Sequence, residues 1–277
     1  PTQKPWPVKG EKAMYAFTYN KPISVDEAAD TLHKSSEGHV LAGGMSLIPT
    51  MKLRLSSPGE LIDLNGLSDL KGISRDGNTL TIGAMTRHAE VAASAEVAAA
   101  IPALTALASG IGDVQVRNRG TIGGSICFND PAADYPAGLV GLGATVVTNV
   151  RSIAADEFFT DLYETALDEG EIVTTVNFPV PEKAGWSKFA NLASRFAIVA
   201  VMVSASGGNV RVAVTGAKEC VFRVEEMEKA LAGSFSVDAI AGIKISPDNI
   251  NDDHHADAEY RAHLVSVMAK RAVEACS

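Results

Sequence analysis

Two pairs of adjacent glycines constrain the fold of this chain more than any other feature of its sequence. The first pair, Gly43-Gly44, and the second, Gly123-Gly124, lie between apolar runs, and each is followed by a serine within two residues. Glycine adopts backbone conformations that other residues avoid and lets a ligand approach the main chain closely. Successive N–H groups in such a turn form a concave site for an anion such as a phosphate. Two turns of this kind predict a ligand with two linked phosphates, and therefore a dinucleotide.

The ordinary alternative for a single glycine pair is a tight connection between two strands. Neither pair belongs to a familiar phosphate motif. The sequence contains no G-x-x-x-x-G-K-[ST], which argues against a P-loop triphosphatase. It also contains no G-x-G-x-x-G between a strand and a helix, which argues against a Rossmann site. A dinucleotide would therefore bind to a different scaffold.

The composition is that of an ordinary globular protein and excludes some classes of partner. A formal net charge of −9 argues against nucleic acid, because that affinity comes mainly from Lys and Arg side chains that neutralise phosphates. A dinucleotide remains compatible with this charge, since backbone N–H groups can hold its diphosphate. The longest apolar stretches, such as residues 196–205, are too short to cross a bilayer. We therefore expect no transmembrane segment.

The three cysteines, Cys127, Cys220 and Cys276, are far apart and form no C-x-x-C motif. This spacing argues against an iron–sulfur cluster or a structural zinc site held by this chain alone. An odd number of isolated cysteines also fits a reducing compartment. The first twelve residues are polar and lack the apolar core of a secretory leader. The cytoplasm is the expected location.

The order of the predicted elements indicates an α+β protein with a boundary at the proline-rich step 179–181. We predict a leader over residues 1–13, a first domain over 14–180 with subdomains of about 14–70 and 71–180, and a C-terminal domain over 181–277. Ser24 predicts the N-cap of a helix over 22–35. Further helices are predicted over 98–109, opening near Pro102, and over 224–232, 237–243 and 258–275. Antiparallel strands are predicted over 186–190, 198–205 and 209–215, with a hairpin at Gly207-Gly208.

Polar side chains near the second glycine pair are candidates for ligand contact. Asp130 and Asp134 are four residues apart and could serve acid–base chemistry or accept hydrogen bonds from ligand hydroxyls. For Asp130, capping of a turn at Pro131 is an equal alternative, whereas for Asp134 we favour ligand contact without proton transfer. The arginines at 117 and 119 could pair with a diphosphate. A structural role, in which these arginines pair with surface carboxylates and fix loops, is slightly favoured over diphosphate binding.

The remaining candidates favour structural roles. His254, His255 and His263 lie among aspartates and resemble a metal site in composition, but such residues near a chain end are usually solvated or act as helix caps. We therefore predict no metal. Ser46 and Ser125 lie in no G-x-S-x-G elbow, so a hydrolase is disfavoured and no catalytic residue is assigned.

The two glycine turns, the D-P-A-x-D-x-P segment over 130–136 and the C-terminal helix together resemble the FAD-binding medium subunit of molybdenum hydroxylases, the xanthine dehydrogenase and aerobic carbon monoxide dehydrogenase family. The likeness includes LAGGMSLIPTMKLRL over 41–55 and AEYRAHLVSVMAKRA over 258–272, and covers residues 14–276. It implies an FAD-binding fold of two α/β subdomains (PCMH-type). A C-terminal domain consisting of a small antiparallel sheet and helices follows it.

The resemblance also implies the residues that bind FAD. The two glycine loops would hold its diphosphate through main-chain N–H groups, Asp134 would bond its sugar-like chain, and two apolar residues would lie against the isoalloxazine ring. The predicted cofactor-binding set is Ala42, Gly43, Gly44, Met45, Ser46, Leu47, Thr121, Ile122, Gly123, Gly124, Ser125, Asp134, Ile172 and Val173. Met45 and Ser125 depart from the residues that relatives often carry, but FAD binding is expected to survive both departures.

The implied function is that of an oxidoreductase subunit for electron transfer. Electrons would pass from a molybdenum cofactor in a large partner, through [2Fe–2S] clusters in a small partner, to FAD in this chain and then to an external acceptor. The implied assembly is a dimer of heterotrimers, and its substrate could be carbon monoxide, an N-heterocycle, a purine or an aldehyde. The alternatives are a free-standing flavin oxidoreductase and a non-catalytic nucleotide-binding or scaffold protein.

Overall fold

The computed structural model describes residues 14–276, whose strands form four β-sheets. The predicted leader over 1–13 lies outside the described residues. The sheets follow one another along the chain, with one small two-stranded sheet inserted before the last strand of the second. This α+β architecture confirms the predicted fold class. None of the helices within 14–276 combines the length and apolar character required to span a bilayer.

The first sheet is parallel and carries the first glycine loop. Its order is β1-β3-β2, and its elements are β1 (Thr18–Asn20), α1 (Val25–Lys34), β2 (Gly38–Leu41), α2 (Leu47–Lys52) and β3 (Glu60–Asp63). Helix α1 begins where predicted, because the Ser24 hydroxyl accepts a hydrogen bond from the Glu27 N–H at 3.1 Å. Two short 3₁₀ turns, Leu64–Gly66 and Ser68–Leu70, follow β3.

The second sheet is antiparallel with the order β4-β5-β10-β6-β7. Its strands are β4 (Ile73–Asp76), β5 (Thr79–Gly83), β6 (Thr145–Thr148), β7 (Ser152–Ala154) and β10 (Val173–Pro179). The hairpin β8 (Phe159–Asp161) and β9 (Glu164–Thr165) precedes β10. Between β5 and β6 lie α3 (His88–Ala93), α4 (Ala95–Ala100), α5 (Pro102–Ser109), α6 (Val114–Arg117), α7 (Ile122–Phe128) and α8 (Tyr135–Leu142), and α9 (Ala155–Phe158) follows β7.

The helix predicted over 98–109 with its opening near Pro102 is confirmed from Pro102 to Ser109, whereas residues 98–100 belong to the preceding helix. Helix α4 ends at Ala100, and Ile101 adopts a non-helical conformation immediately before Pro102. The proline ring disfavours the helical region for the residue that precedes it. Pro102 instead begins α5, where its missing N–H leaves no hydrogen bond unmade.

The third sheet is antiparallel and contains the three predicted strands. Its strands are β11 (Lys183–Ala190), β12 (Ala197–Ser206), β13 (Asn209–Thr215) and β14 (Phe222–Arg223), followed by α10 (Glu225–Gly233) and α11 (Ala258–Glu274). Gly207 and Gly208 form the predicted hairpin with φ of +56° and +81°. The helix predicted over 237–243 is wrong, because this segment forms only a 3₁₀ turn, Asp238–Ile240.

Helix α8 is buried along its whole length and joins the second and third sheets. Ser204 of β12 donates a hydrogen bond to the Gly141 carbonyl at 2.6 Å. A Cβ at Gly141 would lie 2.6 Å from Cγ of Met202, so glycine allows this close approach. The predicted boundary near residue 181 falls between β10 and β11, and the division into domains stays a prediction.

Candidate functional site

The fold brings the two glycine loops, residues 42–47 and 121–125, into direct contact. A Cβ at Gly43 would overlap the carbonyl oxygen of Arg119 and lie 2.7 Å from Cα of Gly120. On the other side of the contact, a Cβ at Gly124 would lie 3.3 Å from Cβ of Ala42. The loops are separated by about eighty residues in sequence, but they form one surface. Glycine at position 43 is therefore required for the approach of two backbone segments.

The first loop presents a run of unpaired backbone donors. It leaves β2 at Leu41 and enters α2 at Leu47, so its central residues belong to neither element. Within residues 14–276, no acceptor receives a hydrogen bond from the N–H groups of Gly43, Gly44, Met45 and Ser46. Gly44 has a φ of +71°, the left-handed conformation that makes successive N–H groups converge. Such a loop can hold a polyanion without a basic side chain.

The second loop differs from this expectation, because the N–H groups of Ile122, Gly123, Gly124 and Ser125 are already paired. It forms the start of α7, whose N-cap Thr121 accepts a hydrogen bond at its hydroxyl from the Gly124 N–H at 3.1 Å. The Gly123 N–H donates to the Ala84 carbonyl at 2.8 Å, and the Ile122 N–H donates to the Thr86 carbonyl at 3.1 Å. The second loop therefore supplies mainly a close approach of its backbone, whereas the run of four unpaired donors lies in the first loop.

Asp134 is buried at the start of α8, with 4% of its surface exposed. Its Oδ2 forms an ion pair with Nζ of Lys188 at 2.6 Å, while its Oδ1 has no partner within the described residues. Burial raises the pKa of Asp134 to about 6, and the Lys188 ammonium opposes that rise. Lys188 also donates to the Gly110 carbonyl at 3.2 Å. The predicted contact of Asp134 with a ligand hydroxyl stays a prediction.

Asp130 caps the turn at Pro131, which is one of the two roles predicted for it. Its Oδ1 accepts a hydrogen bond from the Ala132 N–H at 2.8 Å, across Pro131. Burial raises the pKa of this carboxyl, and the Ala132 hydrogen bond opposes that rise. Asp130 and Asp134 thus have different environments, since the first accepts from a backbone N–H and the second from the Lys188 ammonium.

Ile172 and Val173 lie at the start of β10 with 3% and 4% of their surfaces exposed. Ile172 belongs to the apolar cluster beneath the first sheet, where the partly buried Ala42 also packs. Val173 belongs to the larger core of the second sheet. Their predicted contact with a flavin ring stays a prediction.

The remaining candidates, Arg117 and the C-terminal histidines, make local contacts or are exposed. Arg117 donates from one nitrogen to the carbonyls of Ile111 and Gly112 at 3.0 and 3.2 Å, so it orders a loop through main-chain oxygens. His254 and His255 are exposed, with ring centroids 3.7 Å apart. Within residues 14–276, no group of three or more His, Cys, Asp or Glu side chains is placed to hold a metal ion.

Two residues of this region were missed by the sequence reasoning. Lys188 lies between Ser187 and Phe189 on β11, and nothing in this local sequence predicts its partner 54 positions away. Asn65 follows β3 and donates from its side-chain nitrogen to the Ala42 carbonyl of the first loop at 2.8 Å. Asn after a strand is an ordinary turn signal, so its contact with the glycine loop is visible only in the structure.

The comparisons with known proteins agree on one family. The family described as FAD binding domain in molybdopterin dehydrogenase matches residues 15–181. The carbon monoxide dehydrogenase medium chain of Hydrogenophaga pseudoflava is 36% identical, with 94% of this chain and 96% of that chain covered. The glyceraldehyde dehydrogenase medium chain of Sulfolobus acidocaldarius is 34% identical, with coverage of 92% and 96%. The reconstituted CO dehydrogenase from Oligotropha carboxidovorans superimposes with a TM-score of 0.86 at 33% identity, with coverage of 94% and 97%.

Proposed function

This chain belongs to the family of FAD-binding domains in molybdopterin dehydrogenases, and from that membership we propose a route for its electrons. The chain is the FAD-binding medium subunit of a molybdenum hydroxylase, an oxidoreductase, and FAD is its cofactor. When bound, FAD would supply the redox chemistry of this subunit. We expect its electrons to come from a molybdenum centre through [2Fe–2S] clusters of partner subunits and to leave for an external acceptor. The lack of any C-x-x-C motif supports placing the clusters in a partner.

The observation that carries the proposed binding mode is the row of unpaired donors at Gly43, Gly44, Met45 and Ser46. These N–H groups would hold the FAD diphosphate, because backbone hydrogen-bond donors can bind an anion without basic side chains. The Ser46 side chain does not cap α2, so its hydroxyl is a further donor toward the same anion. This mode is compatible with a net charge of −9.

The second loop and its neighbours would complete the cradle. Gly124 lies against Ala42 of the first loop, and Thr121, Ile122 and Gly123 begin the helix that holds it there. Ser125 would add a hydroxyl at the half-buried edge of α7. Asp134 Oδ1, which has no partner within 14–276, would accept a hydrogen bond from a hydroxyl of the ribityl chain. Ile172 and Val173 would form the apolar floor beneath the isoalloxazine ring.

We propose that the chain works in a cytoplasmic complex with a large molybdenum-cofactor subunit and a small iron–sulfur subunit, assembled as a dimer of heterotrimers. Relatives are named as medium chains of dehydrogenases and as the medium subunit of a hydroxylase, which supports a multi-subunit enzyme. Three free cysteines are compatible with the cytoplasm. The substrate stays open, because relatives named for carbon monoxide and for glyceraldehyde are 36% and 34% identical to this chain.

Purification of the tagged full-length chain from its own host would test this function. Denaturation and mass analysis would identify the released cofactor, and elemental analysis would count molybdenum and iron. We expect about one FAD per chain together with molybdenum, iron and two further polypeptides. FAD without metals or partners would instead support a free-standing flavin oxidoreductase. A chain without flavin that also fails to bind added FAD would support nucleotide binding or scaffolding.

A further inference from the structure

Asn65 joins the turn after the first sheet to the loop that carries the free donors. Its side-chain nitrogen donates to the Ala42 carbonyl at 2.8 Å, across 23 positions of sequence. We propose that Asn65 is a positioning residue that orients the N–H groups of the first glycine loop toward the FAD diphosphate. This inference rests on the proposed function, in which residues 43–46 hold that diphosphate.

The link from Asn65 to the loop runs through one peptide group. The Ala42 carbonyl and the Gly43 N–H belong to the same planar trans peptide, so they point in opposite directions. When Asn65 fixes the oxygen, it therefore also fixes the direction of the Gly43 N–H, which points away from Asn65. The Gly43 N–H is the first of the four unpaired donors. Without this anchor, the peptide could rotate and turn its oxygen toward the anion.

Asn65 is itself held in one orientation. Asp63 Oδ1 accepts hydrogen bonds from the Asn65 backbone N–H at 2.9 Å and from its side-chain nitrogen at 2.6 Å. A carboxylate only accepts, so the Asn65 amide must present its nitrogen to Asp63 and to Ala42. The Tyr19 hydroxyl donates to Asp63 Oδ2, and the Asp63 side chain is nearly buried. The amide therefore cannot turn without breaking several hydrogen bonds.

The 3₁₀ turn that carries Asn65 has its own apolar support. Leu64, Leu67 and Leu70 are buried in the cluster beneath the first sheet. The Asn65 carbonyl also accepts a hydrogen bond from Nζ of Lys71 at 2.7 Å, and this bond does not involve the Asn65 side chain. Replacement of the side chain is thus expected to leave the turn folded, which separates positioning from general stability.

The test compares Asn65→Ala with wild type and with Asn78→Ala in the full chain with its natural partners. Asn78 is the control, because its side-chain nitrogen also donates to a main-chain carbonyl, that of Val180 at 3.2 Å, in an exposed and separate part of the fold. The measurements are the dissociation constant of FAD, the ³¹P resonances of the bound diphosphate and the melting temperature without FAD.

For Asn65→Ala we expect roughly tenfold weaker FAD binding and shifted ³¹P resonances, with a melting temperature within about 3 °C of wild type. Tyr19→Phe, which removes only the outer hydrogen bond to Asp63, is expected to weaken FAD binding by a smaller factor, about two- to threefold. Asn78→Ala should match wild type in all three measurements.

Wild-type affinity and unchanged ³¹P resonances in Asn65→Ala would overturn the positioning role. So would a large fall in melting temperature with unchanged ³¹P resonances, because the loss of FAD would then come from unfolding. If Asn65→Ala does not fold, Tyr19→Phe decides by the same criteria. A wild-type chain that binds no FAD would contradict the proposed function itself, which is a different result from failure of the Asn65 variant.

Discussion

Replacement of Gly43 by alanine should disrupt the contact between the first glycine loop and residues 119–120, which lead into the second loop. The added Cβ would overlap the Arg119 carbonyl oxygen and lie 2.7 Å from Cα of Gly120, about 1 Å inside an ordinary carbon–carbon contact. Both neighbours are backbone atoms, which cannot rotate away as a side chain can. One of the loops must therefore move.

The cost of this displacement should appear in cofactor binding. Overpacking of a close contact costs about 1–3 kcal/mol. Without ligand, the first loop can relieve the overlap by moving outward. FAD binding would then have to return it against the overlap, so a cost of about 2 kcal/mol corresponds to roughly 30-fold weaker binding. The assay is the dissociation constant of FAD, from titration of the deflavinated chain followed by flavin fluorescence.

Two further glycine variants make the comparison specific. A Cβ at Gly124 would meet the Thr121 hydroxyl at 3.0 Å and Ala42 Cβ at 3.3 Å, so small adjustments suffice and Gly124→Ala should change affinity by about threefold or less. A Cβ at Gly242 meets nothing within 4 Å, so Gly242→Ala should match wild type. If Gly43→Ala binds FAD as well as Gly124→Ala does, the contact between the loops is not part of the cofactor site.

Two buried carboxylates give the remaining predictions. Lys188→Met should lower the free energy of unfolding by about 3 kcal/mol in denaturant titrations, because it leaves the Asp134 carboxyl buried without its partner, and addition of Asp134→Asn should recover most of that loss. A double variant no more stable than Lys188→Met would refute this explanation. Hydrogen bonding to the Arg151 guanidinium lowers the pKa of Glu171 to about 2, below its unfolded value, so its stabilisation is complete above about pH 4.5 and disappears as the pH falls toward 2. Because about half of the Arg151 side chain is exposed, the effect is reduced by solvent screening, and Glu171→Gln should lower the free energy of unfolding at pH 7 by about 2 kcal/mol. The variant should also show a weaker dependence of stability on pH in acid. An unchanged pH dependence between pH 5 and 2 would contradict the assignment.

Elements whose start or turn is set by neighbouring residues could be predicted from the sequence. Ser24 determines the start of α1, and Gly207-Gly208 determines the hairpin between β12 and β13, so both elements were predictable. Pro102 carried enough information to predict the break between α4 and α5, because the residue before a proline avoids the helical region. The family resemblance, carried by the glycine loops, supplied the fold class and the cofactor.

What the sequence did not reveal depends on contacts between distant segments. Thr121 is a good N-cap, but the glycines that follow it have low helix propensity and favour a turn, so the helical start of the second loop was missed. The pairing of its N–H groups with Ala84 and Thr86 follows from the path of the chain after β5. The contacts of Asn65 with Ala42 and of Lys188 with Asp134 have the same tertiary origin.

Hydrogen exchange of the loop amides, measured by NMR with and without FAD, tests most directly whether the first loop holds the cofactor. Without FAD, the N–H groups of Gly43, Gly44, Met45 and Ser46 should exchange rapidly, because they have no acceptor within the described residues. Saturation with FAD should protect them, whereas the paired N–H groups of Ile122 and Gly123 should be protected in both states. Unprotected amides over 43–46 in a chain saturated with FAD would contradict the proposed binding mode.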